Sequence, residues 1–137
     1  YAQTADAVLV DAPCTGSGTL RRSPDIRWRE ARLEELRQLQ LQVLSNASQL
    51  VKAGGRLVYA TCSLLAEENQ QLVEAFLLAN PGFAREGATF PEFDRTFTAL
   101  QHQDAALAER LQNVGELQLW PHRHNTDGFY AQVLRRF

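Results

Sequence analysis

Two short runs of unbroken apolar residues stand out along the chain, Ala7-Val-Leu-Val10 and Leu57-Val-Tyr-Ala60, and each leads into a segment that carries a cysteine. Runs this short, rich in β-formers and bounded by turn residues, read as strands buried on both faces. Between them the pattern changes. Leu36, Leu39, Val43, Ala47 and Leu50 recur every three or four residues, while Arg29, Glu30, Glu34, Arg37 and Gln40 fill polar positions. That period predicts a helix over about Arg27–Lys52 with one apolar face, stopped by Gly54-Gly55. Strand, helix, strand in this order predicts two parallel strands, Ala7–Val10 and Arg56–Thr61, joined by the helix as crossover.

The pattern continues downstream. A second helix is predicted over about Leu65–Ala79, with Leu72, Val73, Phe76 and Leu77 facing the core and Asn80-Pro-Gly82 ending it. Glu67 and Glu68 fall in its first turn, where carboxylates favour the positive end of the dipole. Residues 83–98, with Phe83, Phe90, Phe93 and Phe97 among polar neighbours, read as a short strand and a loop. Gln101–Leu111 is weakly helical, and Leu117–Pro121 and Phe129–Arg135 read as strands joined by the turn-forming His122–Gly128. The last strand is expected to run antiparallel, as edge strands of mixed sheets often do. In the segment 11–24, Pro13 and Pro24 forbid a continuous helix, and Gly16 and Gly18 permit tight turns. The expectation is one α/β domain over residues 1–137.

Composition narrows the function. With 137 residues, 45% of them hydrophobic, the chain can build one core. A net charge of −2 supplies no global field toward nucleic acid. Lys52 is the only lysine beside many arginines, a bias that a GC-rich genome explains as well as function does. No apolar run nears the roughly 20 residues of a membrane span, and no basic-then-apolar leader opens the chain. Two cysteines do not make a secreted disulfide framework. A reducing cytoplasm is expected.

Ligands of open α/β sheets bind beyond the carboxyl ends of the strands, so Cys14, Cys62 and Asp11 should converge on one cleft. Several chemistries suit such thiols. Each can be a small buried hydrophobe, or the two can form a thiol redox centre. A zinc site needs about four ligands, and His122 and His124 lie far downstream, so no metal is expected. Covalent catalysis is the sharper alternative. Cys62 precedes Ser63 and a helix whose N-terminus would lower the thiol pKa, and Cys14 could serve as a second acid/base group. Asp11 could bond a base edge or a cofactor hydroxyl, or merely start the loop as an Asx turn.

Asp11-Ala-Pro-Cys-Thr-Gly-Ser-Gly18 and Ala60-Thr-Cys-Ser63 resemble motifs IV and VI of the Sun-type RNA cytosine-5 methyltransferases. Arg22-Ser-Pro-Asp-Ile-Arg-Trp28 resembles the stretch after the first cysteine, and Pro121-His-Arg-His-Asn-Thr-Asp-Gly-Phe-Tyr130 the motif near the C-terminus. The likeness covers residue 6 to the end apart from 84–115, and is greatest to bacterial enzymes of small-subunit ribosomal RNA. It implies the C-terminal half of a Rossmann-like S-adenosylmethionine-dependent methyltransferase fold, a mixed sheet with an antiparallel last strand. Cys62 would add to carbon 6 of a cytosine in RNA. Cys14 would assist loss of the carbon 5 proton and release of the enzyme. Asp11 would contact the cytosine edge, and Asp11, Ala12 and Pro13 would line the S-adenosylmethionine side.

The family's glycine-rich cofactor loop, ribose-binding acid and catalytic lysine have no counterpart in this sequence. The expectation is therefore the C-terminal part of a catalytic domain, inactive alone and a feeble cofactor binder. Its first strand would be a bare edge through which the isolated chain self-associates. Arg21, Arg22, Arg27, Arg29 and Arg32 would meet RNA phosphates or solvate a helix start. Trp28 is expected in the core, with base stacking the alternative. Asp127-Gly128 is a turn that the resemblance places near the cleft. A non-catalytic folding or interaction fragment is the competing reading, along with a thiol redox or metal module.

Overall fold

The computed structural model describes residues 2–28, 32–87 and 94–137. The apolar runs form β1 (Ala5–Asp11) and β2 (Val51–Thr61), paired in parallel with Val10 opposite Tyr59 and Asp11 opposite Ala60. Between them runs α1 (Leu33–Ser48), the expected crossover. After α2 (Gln70–Ala79) come β3 (Phe83–Arg85), α3 (Asp94–Gln103) and α4 (Ala105–Val114). The chain ends in β4 (Glu116–Leu119), the single turn α5 (Pro121–His124) and β5 (Phe129–Arg136). The sheet order is β1-β2-β5-β3, with β5 antiparallel to β2, β3 and β4, so the last strand is antiparallel as expected but lies inside the sheet, paired on both sides, and not at its edge. β4 lies along the first half of β5's outer edge and β3 along its second half.

The core lies on one face of this sheet. Val10, Leu57, Tyr59, Tyr130 and Leu134 pack there against Leu44 of α1 and Leu72, Val73 and Phe76 of α2. These are the inward residues the period indicated for α2. In α1 the fully buried line is Gln40, Leu44 and Ser48, at i, i+4 and i+8; Val43 and Ala47 of the expected face pack beside it, while Leu39 and Leu50 are exposed.

The helix is also shorter than the period indicated. Residues Pro24–Trp28 form a 3-10 turn before it. At the other end, Val51 already pairs with Ala5. Gly54, at φ +75°, sits inside β2, where the ladder skips from Ala5–Val51 to Ala7–Arg56. The glycine therefore closes a bulge and is not a helix cap. Strand pairing outcompeted helix continuation there. The positions of Arg29, Glu30, Phe90 and Phe93 lie outside the described residues.

Three other expectations are corrected. α2 starts at Gln70, because 66–69 are turns. The supposed loop before residue 98 holds the start of α3, and the weak helix over 101–111 is two helices broken at Asp104. Asp104 has extended backbone and its carboxylate accepts from the Leu107 N–H at 3.1 Å, so it caps α4.

β1 is the outer strand of the sheet. Val8 and Val10 turn toward the core, but Leu9 on the opposite face is 68% exposed.

Candidate functional site

β1 and β2 are parallel and β5 runs against them. The end of β1, the end of β2 and the start of β5 therefore meet at one end of the sheet. Three loops grow from that end: Pro13–Gly18, Cys62–Asn69 and the turn before Phe129.

The two thiols face each other there, with Cys14 Sγ 3.4 Å from Cys62 Sγ, both free and half-buried. The expected meeting of the two cysteines at one end of the sheet is observed. Burial, and after it the bond with Cys62, push the Cys14 thiol up to about 12, so at neutral pH it is S–H. The expected helix N-terminus beside Cys62 is absent, since α2 begins only at Gln70. The N–H groups that follow Cys62 are met by hydroxyls: Leu64 N–H donates to Ser17 Oγ at 2.8 Å and Leu65 N–H to Ser63 Oγ at 3.0 Å.

Beneath the thiols lies a polar cluster built on Glu68. Its carboxylate is fully buried and accepts from the Thr15 N–H (2.9 Å), Thr15 Oγ1 (2.7 Å), Gln40 Nε2 (3.0 Å) and Ser63 Oγ. Asn69, also buried, donates to the Ser63 carbonyl at 2.8 Å and accepts from Thr61 Oγ1 at 2.6 Å. Reading Glu68 as a first-turn acid facing the helix dipole missed this. The signal was present: Glu68, Leu72 and Phe76 are spaced i, i+4, i+8, as are Gln40, Leu44 and Ser48. One turn before Leu72, and one turn before Leu44, this spacing reaches a polar side chain on the inward side.

The loops are also stitched by backbone. Gly18 N–H donates to the Cys62 carbonyl at 2.9 Å, and Gly128 N–H donates to the Gly18 carbonyl at 2.7 Å. A salt bridge of 3.1 Å between Arg22 and Asp127 spans the same junction. Asp127-Gly128 is thus a turn that touches the cysteine loops.

The remaining candidates divide. Asp11 and Pro13 are exposed at the tip of β1. The Ala12 side chain packs in the core and its N–H pairs with Ala60, so only its backbone can face a ligand. Trp28 does not enter the core: it is 81% exposed, with the Arg27 guanidinium 5.6 Å from its ring centroid. Arg32 meets Glu35 at 3.5 Å on the helix surface. His124 uses both ring nitrogens, Nδ1 accepting from the Trp120 N–H at 2.9 Å and Nε2 lying 3.2 Å from Asp104. Among the described residues no three His, Cys, Asp or Glu side chains gather as a metal site. No described helix is long and apolar enough to cross a membrane.

Solved structures share this fold. PH0851 superposes with TM-score 0.77 and 39% identity over 98% of this chain and 27% of its own. NSun6 from Pyrococcus horikoshii, crystallised with SFG, gives TM-score 0.62 and 27% identity over 93% of this chain and 29% of its own. The fold is that of the Rossmann-like methyltransferases, here a mixed sheet with an antiparallel last strand. Residues 1–135 match the 16S rRNA methyltransferase RsmB/F family model, and the chain belongs to that family. Ribosomal RNA small subunit methyltransferase B of Shewanella oneidensis is 39% identical over 133 residues, 95% of this chain. The chain spans 27% of that relative's length.

Proposed function

We propose that residues 1–137 are the C-terminal part of the catalytic domain of a cytoplasmic RNA cytosine-5 methyltransferase that uses S-adenosylmethionine and acts on small-subunit ribosomal RNA. The observation that carries this reading is the 3.4 Å approach of two free thiols at the carboxyl ends of parallel strands. Carbon 5 of cytosine is a weak nucleophile. A temporary bond from Cys62 to carbon 6 makes carbon 5 electron-rich, splitting one hard step into easier ones. Access requires the base to leave its stack. S-adenosylmethionine, when bound, supplies an electrophilic methyl group. Asp11 and Pro13 suit that side of the site, being exposed at the strand tip, and the Asp11 carboxylate is free to accept from the cytosine edge or a hydroxyl. Once carbon 5 is methylated, its proton passes to a water molecule held by Cys14, and the C–H electron pair forms the carbon 5–carbon 6 double bond. The Cys62–carbon 6 bond then breaks, its electron pair returning to sulfur. The neutral Cys14 S–H stabilises that leaving thiolate.

The SFG of the NSun6 structure, an S-adenosylmethionine analogue, supports the choice of cofactor. The relative's name supports a ribosomal substrate. The test uses the full-length protein with small-subunit ribosomal RNA and isotopically labelled S-adenosylmethionine, followed by nucleoside mass analysis. Label in 5-methylcytidine is expected. Label in another nucleoside, or in none, rejects the reading.

The chain in isolation is also proposed to self-associate through β1, whose outer edge pairs with no other described strand and whose Leu9 faces solvent. A charge on such an edge opposes strand pairing. Leu9→Lys should weaken association roughly tenfold in sedimentation equilibrium, a loss of about 1.4 kcal/mol. A clean monomer before substitution removes the proposal.

A further inference from the structure

We propose that Glu68 is the positioning residue that sets the distance between the two thiols; the consequence for catalysis rests on the methyltransferase reading above. Thr15 follows Cys14 and Ser63 follows Cys62, and the same buried carboxylate accepts from both: from Thr15 N–H and Oγ1 at 2.9 and 2.7 Å, and from Ser63 Oγ. Cys14 is held on its other side too. Gln40 Nε2 bonds Glu68 at 3.0 Å and the Pro13 carbonyl at 2.7 Å, which fastens the residue before Cys14 to α1. Both residues flanking Cys14, and one flanking Cys62, are thus tied to a single group. Tyr59 OH completes the anchor by donating to the Glu68 carbonyl at 2.7 Å, fixing the acid's backbone to β2.

The arrangement leaves little room for a direct chemical role. Glu68 is fully enclosed and both its oxygens are occupied by donors. Among the described residues no cation pairs with it, so its charge is met by hydrogen bonds from the loops it holds. Removing the carboxylate leaves the half-buried Thr15 N–H without its acceptor and frees both loops at once. A Gln side chain keeps one acceptor for Thr15 N–H and Gln40. Its amide can donate to the Thr15 and Ser63 hydroxyls, which turn to accept. The clamp then survives without its charge.

The experiment reads the thiol distance directly, without RNA or cofactor. Diamide is added to the full-length protein, and the Cys14–Cys62 disulfide is followed by peptide mass mapping. Each thiol loses a proton and an electron as the S–S bond forms, and diamide is reduced to the hydrazine. Glu68→Ala, shown folded by circular dichroism, should crosslink at least roughly tenfold more slowly, because small displacements of reacting groups cost that much. Its kcat for methyl transfer should fall by a similar roughly tenfold factor with KM for RNA little changed. Glu68→Gln should recover most of both. Should Glu68→Ala fail to fold, Thr15→Val and Gln40→Leu each cut one tether and should slow crosslinking by roughly threefold. Wild-type crosslinking rates in folded Glu68→Ala, or in both single-tether variants, overturn the proposal. Slowed crosslinking in a protein that proves not to methylate RNA upholds the positioning role and rejects only the methyltransferase reading.

Discussion

Cys62→Ser is expected to abolish methyl transfer in the full-length protein and to leave no covalent protein–RNA species on a denaturing gel. A serine hydroxyl is a far weaker nucleophile than a thiol near neutral pH, so carbon 6 is never attacked. The loss should reach at least roughly a thousandfold, the scale on which removal of a nucleophile acts. Cys14→Ser is expected to do the opposite on the same gel. Cys62 still adds to the base, but the group 3.4 Å away that assists proton loss and release is gone, so an RNA adduct accumulates. The geometry brings the two sulfurs together without ranking them. The roles come from the motif each belongs to. An adduct trapped by Cys62→Ser and not by Cys14→Ser would reverse the assignment.

Gly18→Ala is the second large effect. A Cβ at Gly18 would lie 2.4 Å from the Gly128 carbonyl oxygen and 2.6 Å from that of Cys62. Both are backbone atoms in hydrogen-bonded loops, so neither can swing aside as a flexible side chain would. Relief requires the Cys14 loop to lift off the Cys62 loop and the Asp127-Gly128 turn, breaking the 2.9 and 2.7 Å bonds that join them. Overpacking of this kind costs about 3 kcal/mol, and the melting temperature should drop by roughly 10 °C. Gly82→Ala is the matched control. A Cβ there meets nothing within 4 Å, so its melting temperature should stay close to the parent's. Equal melting temperatures for Gly18→Ala and Gly82→Ala would disprove the three-loop junction.

Much of the fold was legible because its signals are local. The strands β1 and β2 announce themselves as short apolar runs, and a helix between them leaves parallel pairing as the economical connection. Parallel pairing places both cysteines at one end of the sheet, so the shared site could be inferred before any distance was known. What local pattern could not rank was competition between neighbours. Gly54-Gly55 suits a helix cap or a strand bulge equally, and the pairing of Val51 with Ala5 selected the bulge. Trp28 looked like a core residue by type, yet the 3-10 turn of Pro24–Trp28 carries it outward.

By itself, the sequence determined the α/β class, the parallel crossover, the antiparallel last strand and the meeting of the two thiols at one end of the sheet. These follow from hydrophobic period, strand order and motif, all properties of contiguous residues. Only the tertiary structure decided how the thiols are held. Gln40 lies on α1 and Glu68 in the turn before α2, Thr15 and Ser63 lie in different loops, and Gly128 enters from the far end of the chain. Each looked like an ordinary surface or turn residue in its own neighbourhood. A buried polar group is defined by the partners that satisfy it, and those partners meet only when strands distant in sequence are paired.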